Sequence, residues 1–259
     1  MSLEDEVREC FHNLQSRDIN QGRSRRLADF GPQGCLSERS LSFSHIANMN
    51  VFISSIEDFA SINAVYATYF GVSPPARACV AVDLPHPLRV MLDCVAYAEQ
   101  KKDDRKALHV QGLSYWAPAN IGPYSQAIIV SSAFPTVSYP GGAAVLTDLS
   151  IQIQAEGRIF ISGQIGLVPS SLSVPSPRTL ATEISLVSQH SDRIVKALSG
   201  RHDATGGRLV RDSDEYGHAQ MILYWVTEER HISYSTMAAQ RVDVSPHAHS
   251  KILILARQN

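Results

Sequence analysis

Apolar residues return at helical spacing in some stretches of this chain and alternate with polar ones in others. From Ser2 to Arg17 the residues Leu3, Val7, Cys10, Phe11 and Leu14 fall on one face, with Ser2 and Asp5 placed as a capping pair, so an amphipathic helix is expected. From Glu57 to Phe70 the residues Phe59, Ile62, Tyr66 and Tyr69 recur in the same way. Ser55 and Asp58 stand at the start of that stretch and Gly71 where a helix would stop, about four turns along. A third stripe, Leu180, Ile184, Val187, Ile194 and Leu198, predicts a helix from Pro177 to Leu198; Ser176-Pro177 suits its first turn and Gly200 marks its end.

Strand signals lie between these helices. Phe43 to Ile53, with Ile46, Met49, Val51 and Ile53, reads as a strand entering the second helix. Pro74 and Pro75 forbid that helix from continuing, and Arg77 then opens a β-compatible run, Ala-Cys-Val-Ala-Val. Leu88 to Ala98 alternates Leu88, Val90, Leu92, Cys94 and Ala96 against Arg89, Met91, Asp93, Val95 and Tyr97, which turns Asp93 away from the more apolar face. Met221 to Val226 reads as a further strand, and Phe134 to Gly142 as a loop. The resulting class is α+β, with mostly antiparallel sheets and helices on one face. The charged run Glu99 to Lys106 is a natural boundary. It divides the chain into 1–100, with a polar insert at 18–42, a linker at 101–115, a second unit at 116–227 and a tail at 228–259 that no pattern places.

Composition narrows the classes. At 259 residues and 44% hydrophobic content the chain has material for one large domain or two ordinary ones. A formal net charge of −2 gives no global attraction to nucleic acid or to an anionic membrane. No apolar run approaches the ~20 residues of a membrane span, and the acidic start Met-Ser-Leu-Glu-Asp-Glu is unlike a signal peptide, so a cytoplasmic protein is expected. Cys10, Cys35, Cys79 and Cys94 show no zinc-ligand spacing and read as buried thiols; no metal is expected. The cluster Arg23-Ser24-Arg25-Arg26 reads as a solvated loop, a nuclear address or a phosphate patch, and His86, His247 and His249 as surface residues.

The chemistry resides in short motifs. Taken as bare residues, Arg77 caps carbonyls, pairs with Asp83 or anchors an anion; Asn63 bonds locally or faces a pocket; Tyr124 closes a turn after Pro123 or lines a site. Asp58-Phe59-Ala60, Asn63, Tyr66 and Tyr69-Phe70, followed by Pro74-Pro75-Ala76-Arg77 and Val80, resemble the second helix and arginine strand of the Rid family, also called the YjgF or L-PSP endoribonuclease group. Ile121 to Ala127, Ile-Gly-Pro-Tyr-Ser-Gln-Ala, resembles that family's opening strand, and Phe160 to Ile165 its central strand.

The resemblance implies a Rid-like, chorismate-mutase-like fold in two incomplete copies, the first lacking its first strands and the second its last helix and arginine strand. Either the halves complement each other or, more simply, the chain is a truncated product of a longer protein. It also implies a three-subunit type of assembly with a pocket at each interface. There an arginine holds the carboxylate of a 2-imino or enamine acid while water attacks the imine carbon. By motif, Arg77 is the carboxylate anchor, Asn63 the pocket asparagine and Tyr124 the pocket tyrosine. Ser162 and Gly163 supply the lining strand. Asp93, where many members carry a glutamate, is the candidate catalytic group, one methylene shorter.

The paired units further resemble the C-terminal half of the diphthine–ammonia ligase family, which implies a regulatory or assembly region, with elongation factor two as partner and ATP as cofactor of the longer protein. The nucleotide loop Ser-Gly-Gly-x-Asp-Ser does not occur in this sequence, so no cofactor is expected in this chain. The alternatives are a 2-imino acid deaminase and an L-PSP-type endoribonuclease, the near-neutral charge counting against the second.

Overall fold

The computed structural model describes residues 1–15, 36–99, 104–131 and 157–199. The insert's basic cluster, Cys35, the 134–142 loop, the 221–226 strand and the 228–259 tail lie outside them. Helix α1, Leu3–Gln15, starts where Ser2 Oγ accepts from Asp5 N at 3.1 Å. Its buried stripe is Val7, Cys10, Phe11 and Leu14, as the spacing predicted. Ser42 caps a short 3-10 turn, Phe43–His45, so strand β1 begins only at Ile46 and runs to Ile53.

The second predicted helix is shorter than its apolar stripe. A 3-10 turn, Ile56–Asp58, carries the Ser55 cap, and α2 proper is Phe59–Ala67. Thr68 Oγ1 takes the Val65 carbonyl at 2.7 Å while Tyr69 N bonds Tyr66 O, so the last turn tightens before Gly71 is reached. Strands β2, Ala76–Ala81, and β3, Val90–Ala96, flank β1, the first parallel and the second antiparallel. Part of the expected linker is a strand: β4, Arg105–Leu108, pairs antiparallel with β5, Ala127–Ser131, which pairs antiparallel with β6, Gly157–Ile161. Helix α3, Leu180–Ser199, starts later than Pro177 because Thr179 Oγ1, accepting from Thr182 N at 3.1 Å, is its cap.

The sheets, ordered β2-β1-β3 and β4-β5-β6, each carry helices on one face and turn the other toward the neighbouring sheet. Alternation explains this arrangement. Met49, Val51 and Ile53 of β1 pack under α1 and α2. Ala76, Ile128 and Val130, with Phe160, fill the space between the sheets. Ala127, with Ile129, Ile159 and Ile161, faces Ile194 and Leu198 of α3. This is the expected α+β class, β1–β2 being its parallel pair. No helix among the described residues is long and apolar enough to cross a membrane.

The two sheets are stitched together beside β2. Ser125 N donates to Pro75 O at 3.1 Å and Gly163 N to Arg77 O at 3.0 Å. At the other end Arg105 pairs with Glu99 at 3.0 Å, and Arg158 Nη1 meets the Tyr97 hydroxyl at 2.5 Å.

Candidate functional site

Arg77 is the second residue of β2, opposite Met49 of β1, and its side chain rises on the helix-covered face. Only 4% of it is exposed. The guanidinium lies over the ring of Tyr66 at 4.6 Å, with Tyr124 at 5.5 Å and Phe59 at 5.8 Å completing an aromatic box. Nη1 donates to Asn63 Oδ1 at 2.6 Å. Among the described residues no carboxylate stands in ion-pair contact with it. A buried cation with one neutral acceptor and three rings is short of a counter-ion, since burial removes the water that would otherwise carry the charge.

Local sequence explains how these groups meet. Phe59, Asn63 and Tyr66 are spaced i, i+4, i+7, so one face of α2 presents all three to β2. Tyr124 is held by the loop ahead of β5: Asn120 Nδ2 bonds the Tyr124 carbonyl, and the Tyr124 hydroxyl accepts from Ile121 N at 3.4 Å. Gly122 lets the arginine approach, because a Cβ there would stand 2.9 Å from Nη2. Burial raises the Tyr124 phenol, against smaller opposing effects of the Ile121 amide and Arg77. It also raises the Tyr66 phenol, whose hydroxyl finds no partner among the described residues. Burial pushes the Cys79 thiol up to about 11 despite Arg77 nearby, so Cys79 stays protonated and is no ready nucleophile.

Of the residues expected from sequence, Arg77, Asn63 and Tyr124 converge. Gly163 contributes its backbone, bonding the Arg77 carbonyl, and a Cβ at its position would stand 3.4 Å from Ala78. Ser162 lies next to it, but its hydroxyl donates to Gln126 Oε1 at 3.0 Å and accepts from Gln164 Nε2 at 3.0 Å, so it faces a buried amide network rather than the guanidinium. Asp93 is not brought to the site. It stands opposite Asn50, one residue out of step with the row of Arg77, Met49 and Cys94, and therefore on the other face of the sheet; there its exposed carboxylate accepts from Asn50 Nδ2 at 3.1 Å. The pairing of Arg77 with Asp83 does not occur. Phe59, Tyr66 and Gly122 carry site roles that sequence reading left out, although the spacing of Phe59, Asn63 and Tyr66 was a usable signal.

No cluster of metal-binding side chains occurs among the described residues. Residues 10–99, which hold Asn63 and Arg77 but not Tyr124 or Gly163, match the family model described as Endoribonuclease L-PSP. The chain is 39% identical over 151 residues to the diphthine–ammonia ligase of Schizosaccharomyces pombe, covering 58% of this chain and 20% of that protein. It is 33% identical over 177 residues to the ligase of the same name from Saccharomyces cerevisiae, covering 64% and 23%. Protein DfrA of Myxococcus xanthus is 42% identical over 62 residues, covering 24% of this chain and 47% of that protein. The chain thus spans 20% and 23% of the length of the two ligases it matches. Residues 10–99, in the N-terminal part of the chain, are thus similar to the family described as Endoribonuclease L-PSP.

Proposed function

We propose that this chain forms the Rid-type regulatory or assembly region of a cytoplasmic diphthine–ammonia ligase, and that its own chemistry is to hold a small carboxylate on Arg77. The observation that carries the second half is the guanidinium itself, 4% exposed and without a carboxylate partner among the described residues. A planar carboxylate supplies the missing charge and can bond in a bidentate manner. The similarity to two fungal ligases supports the first half. In that setting ATP and elongation factor two belong to the longer protein, and Rid-type self-association would place this region at its core.

Calorimetry with 2-oxobutyrate tests the anchor. The chain should bind, and Arg77→Ala should weaken binding by about 1.5–3 kcal/mol, the range for hydrogen bonds to charged groups. Equal binding by the variant, or no binding by the natural chain, ends the anchor reading. For the ligase setting, the matching region of the yeast enzyme is replaced by this chain in cells lacking that enzyme, and diphthamide is measured. The chimaera should restore it, and the chain by itself should not. Deamination would need a group that positions water beside Arg77, and Asp93 lies on the opposite face. Ammonia release from a 2-imino acid by the isolated chain would favour that alternative instead.

A further inference from the structure

We infer that Asn63 is the residue that keeps the Arg77 site open to an outside anion: it orients the guanidinium through a neutral carbonyl and leaves its charge uncompensated. This deepens the carboxylate-anchor reading and rests on it. The geometry is close. Asn63 sits one helical turn from both Phe59 and Tyr66, and its Oδ1 takes Nη1 of Arg77 at 2.6 Å. An arginine only donates, so the atom facing it must be the amide oxygen, and the amide nitrogen is turned elsewhere. A carboxylate at this position would accept the same hydrogen bond from the same place. It would also neutralise a cation that burial has already stripped of water, and the site would then have no further demand for an anion.

The choice of amide over acid at one atom's position therefore decides whether the Arg77 site is an anion receptor or a closed internal ion pair. A purely structural role for Asn63 makes a different prediction, because a carboxylate is at least as good an acceptor. Three proteins separate the two: the natural chain, Asn63→Asp, which keeps the acceptor and adds the charge, and Asn63→Leu, which removes the acceptor and adds none. Binding of 2-oxobutyrate is measured by calorimetry and Tm by calorimetric scan.

Asn63→Asp should bind about tenfold more weakly or worse and should melt about 3 °C higher. Asn63→Leu should lose only part of the binding, with no gain in Tm. Asn63→Asp binding as the natural chain does, or melting no higher, overturns the inference. If the natural chain does not bind 2-oxobutyrate, the anchor reading fails by itself, and the Tm of Asn63→Asp still decides: a rise upholds the uncompensated guanidinium, and no rise overturns it.

Discussion

The two sheets of this fold are held to their helices by different means. Under α1 and α2 the interior is large and ringed: Phe11 stacks on Tyr69 at 3.9 Å and meets Phe43, Tyr66 and Phe70 edge-on at 5.7, 5.7 and 6.0 Å. Under α3 the buried apolar cluster among the described residues is smaller, Ala127, Ile194 and Leu198, with Val187 also buried on the helix, and the nearby interior is polar, with Ser125, Gln126, Ser162, Gln164 and His190 all buried. Close-packed rings fix geometry by volume, whereas buried amides and hydroxyls fix it by the need of every donor and acceptor for a partner. Arg77 stands where the two regimes meet. Its strand and Asn63 belong to the ringed half, and Tyr124 and Gly122 to the polar half, so a stiff support carries the charge while hydrogen-bonded loops close over it.

The largest test of that contrast is Phe11→Ala. It should cost about 3–5 kcal/mol in urea unfolding, since four neighbouring rings lose a common contact and cannot collapse into the space. Ile194→Ala on α3 should cost about 2–3 kcal/mol, because its surroundings are thinner and relax more easily. Equal losses would show that the two halves are packed alike.

A smaller effect sharpens the polar side. Gln164 Nε2 donates to Ser162 O and Oγ, each at 3.0 Å, and lies 3.4 Å from Gln126 Oε1. Gln126 Nε2 in turn holds the Pro118 carbonyl at 2.5 Å, on the way to the Tyr124 loop. Gln164→Leu should therefore cost about 1–3 kcal/mol through unpaired acceptors and should also weaken 2-oxobutyrate binding. On the ringed side a comparable polar tie away from Arg77 is Glu6, which takes Arg89 N at 2.6 Å and Arg89 Nε at 2.8 Å. Glu6→Gln should cost a similar amount in unfolding and leave binding unchanged. Loss of binding in Glu6→Gln as well would mean that the site responds to stability in general and not to the loops of the polar half.

The same contrast decides what could be read in advance. Helix faces and strand alternation were legible in the ringed half because most buried positions there are apolar, from Val7 and Phe11 to Val90 and Leu92, with Glu6, Asn48 and Arg77 as its buried polar exceptions. Alternation also turned Asp93 away from the apolar face, and the register places it there. Strand β4 was hidden inside a charged run, because only the fold shows that Arg105 is satisfied by Glu99 and the Ile46 carbonyl. The Gln126, Ser162 and Gln164 network was hidden for a related reason: buried amides look like surface amides until the chain brings residues 36 and 38 positions apart together. The site's anchor came from motif resemblance, while its aromatic box was encoded in helical spacing and passed for core.

The smallest prediction isolates one group of the polar half. His190 on α3 has no exposed surface; Nε2 donates to the Leu167 carbonyl at 2.9 Å and Nδ1 has no partner among the described residues. Burial lowers its pKa from the ordinary 6.5, the Leu167 carbonyl opposes this and Arg193 adds to it. A lowered folded value means that the unfolded chain takes up the proton first, so stability is complete above about pH 6.5 and falls as the pH drops from there toward the folded value. The slope is at most about 1.4 kcal/mol per pH unit for one proton. His109, also lowered by burial, adds a dependence of the same sign. Urea unfolding at pH 7.5 and pH 5.5 should therefore show a smaller loss in His190→Gln than in the natural chain, although the variant begins less stable. An identical loss in both would mean that His190 already takes a proton within the fold, and that the polar half accommodates charge where its orphaned Nδ1 suggests it does not.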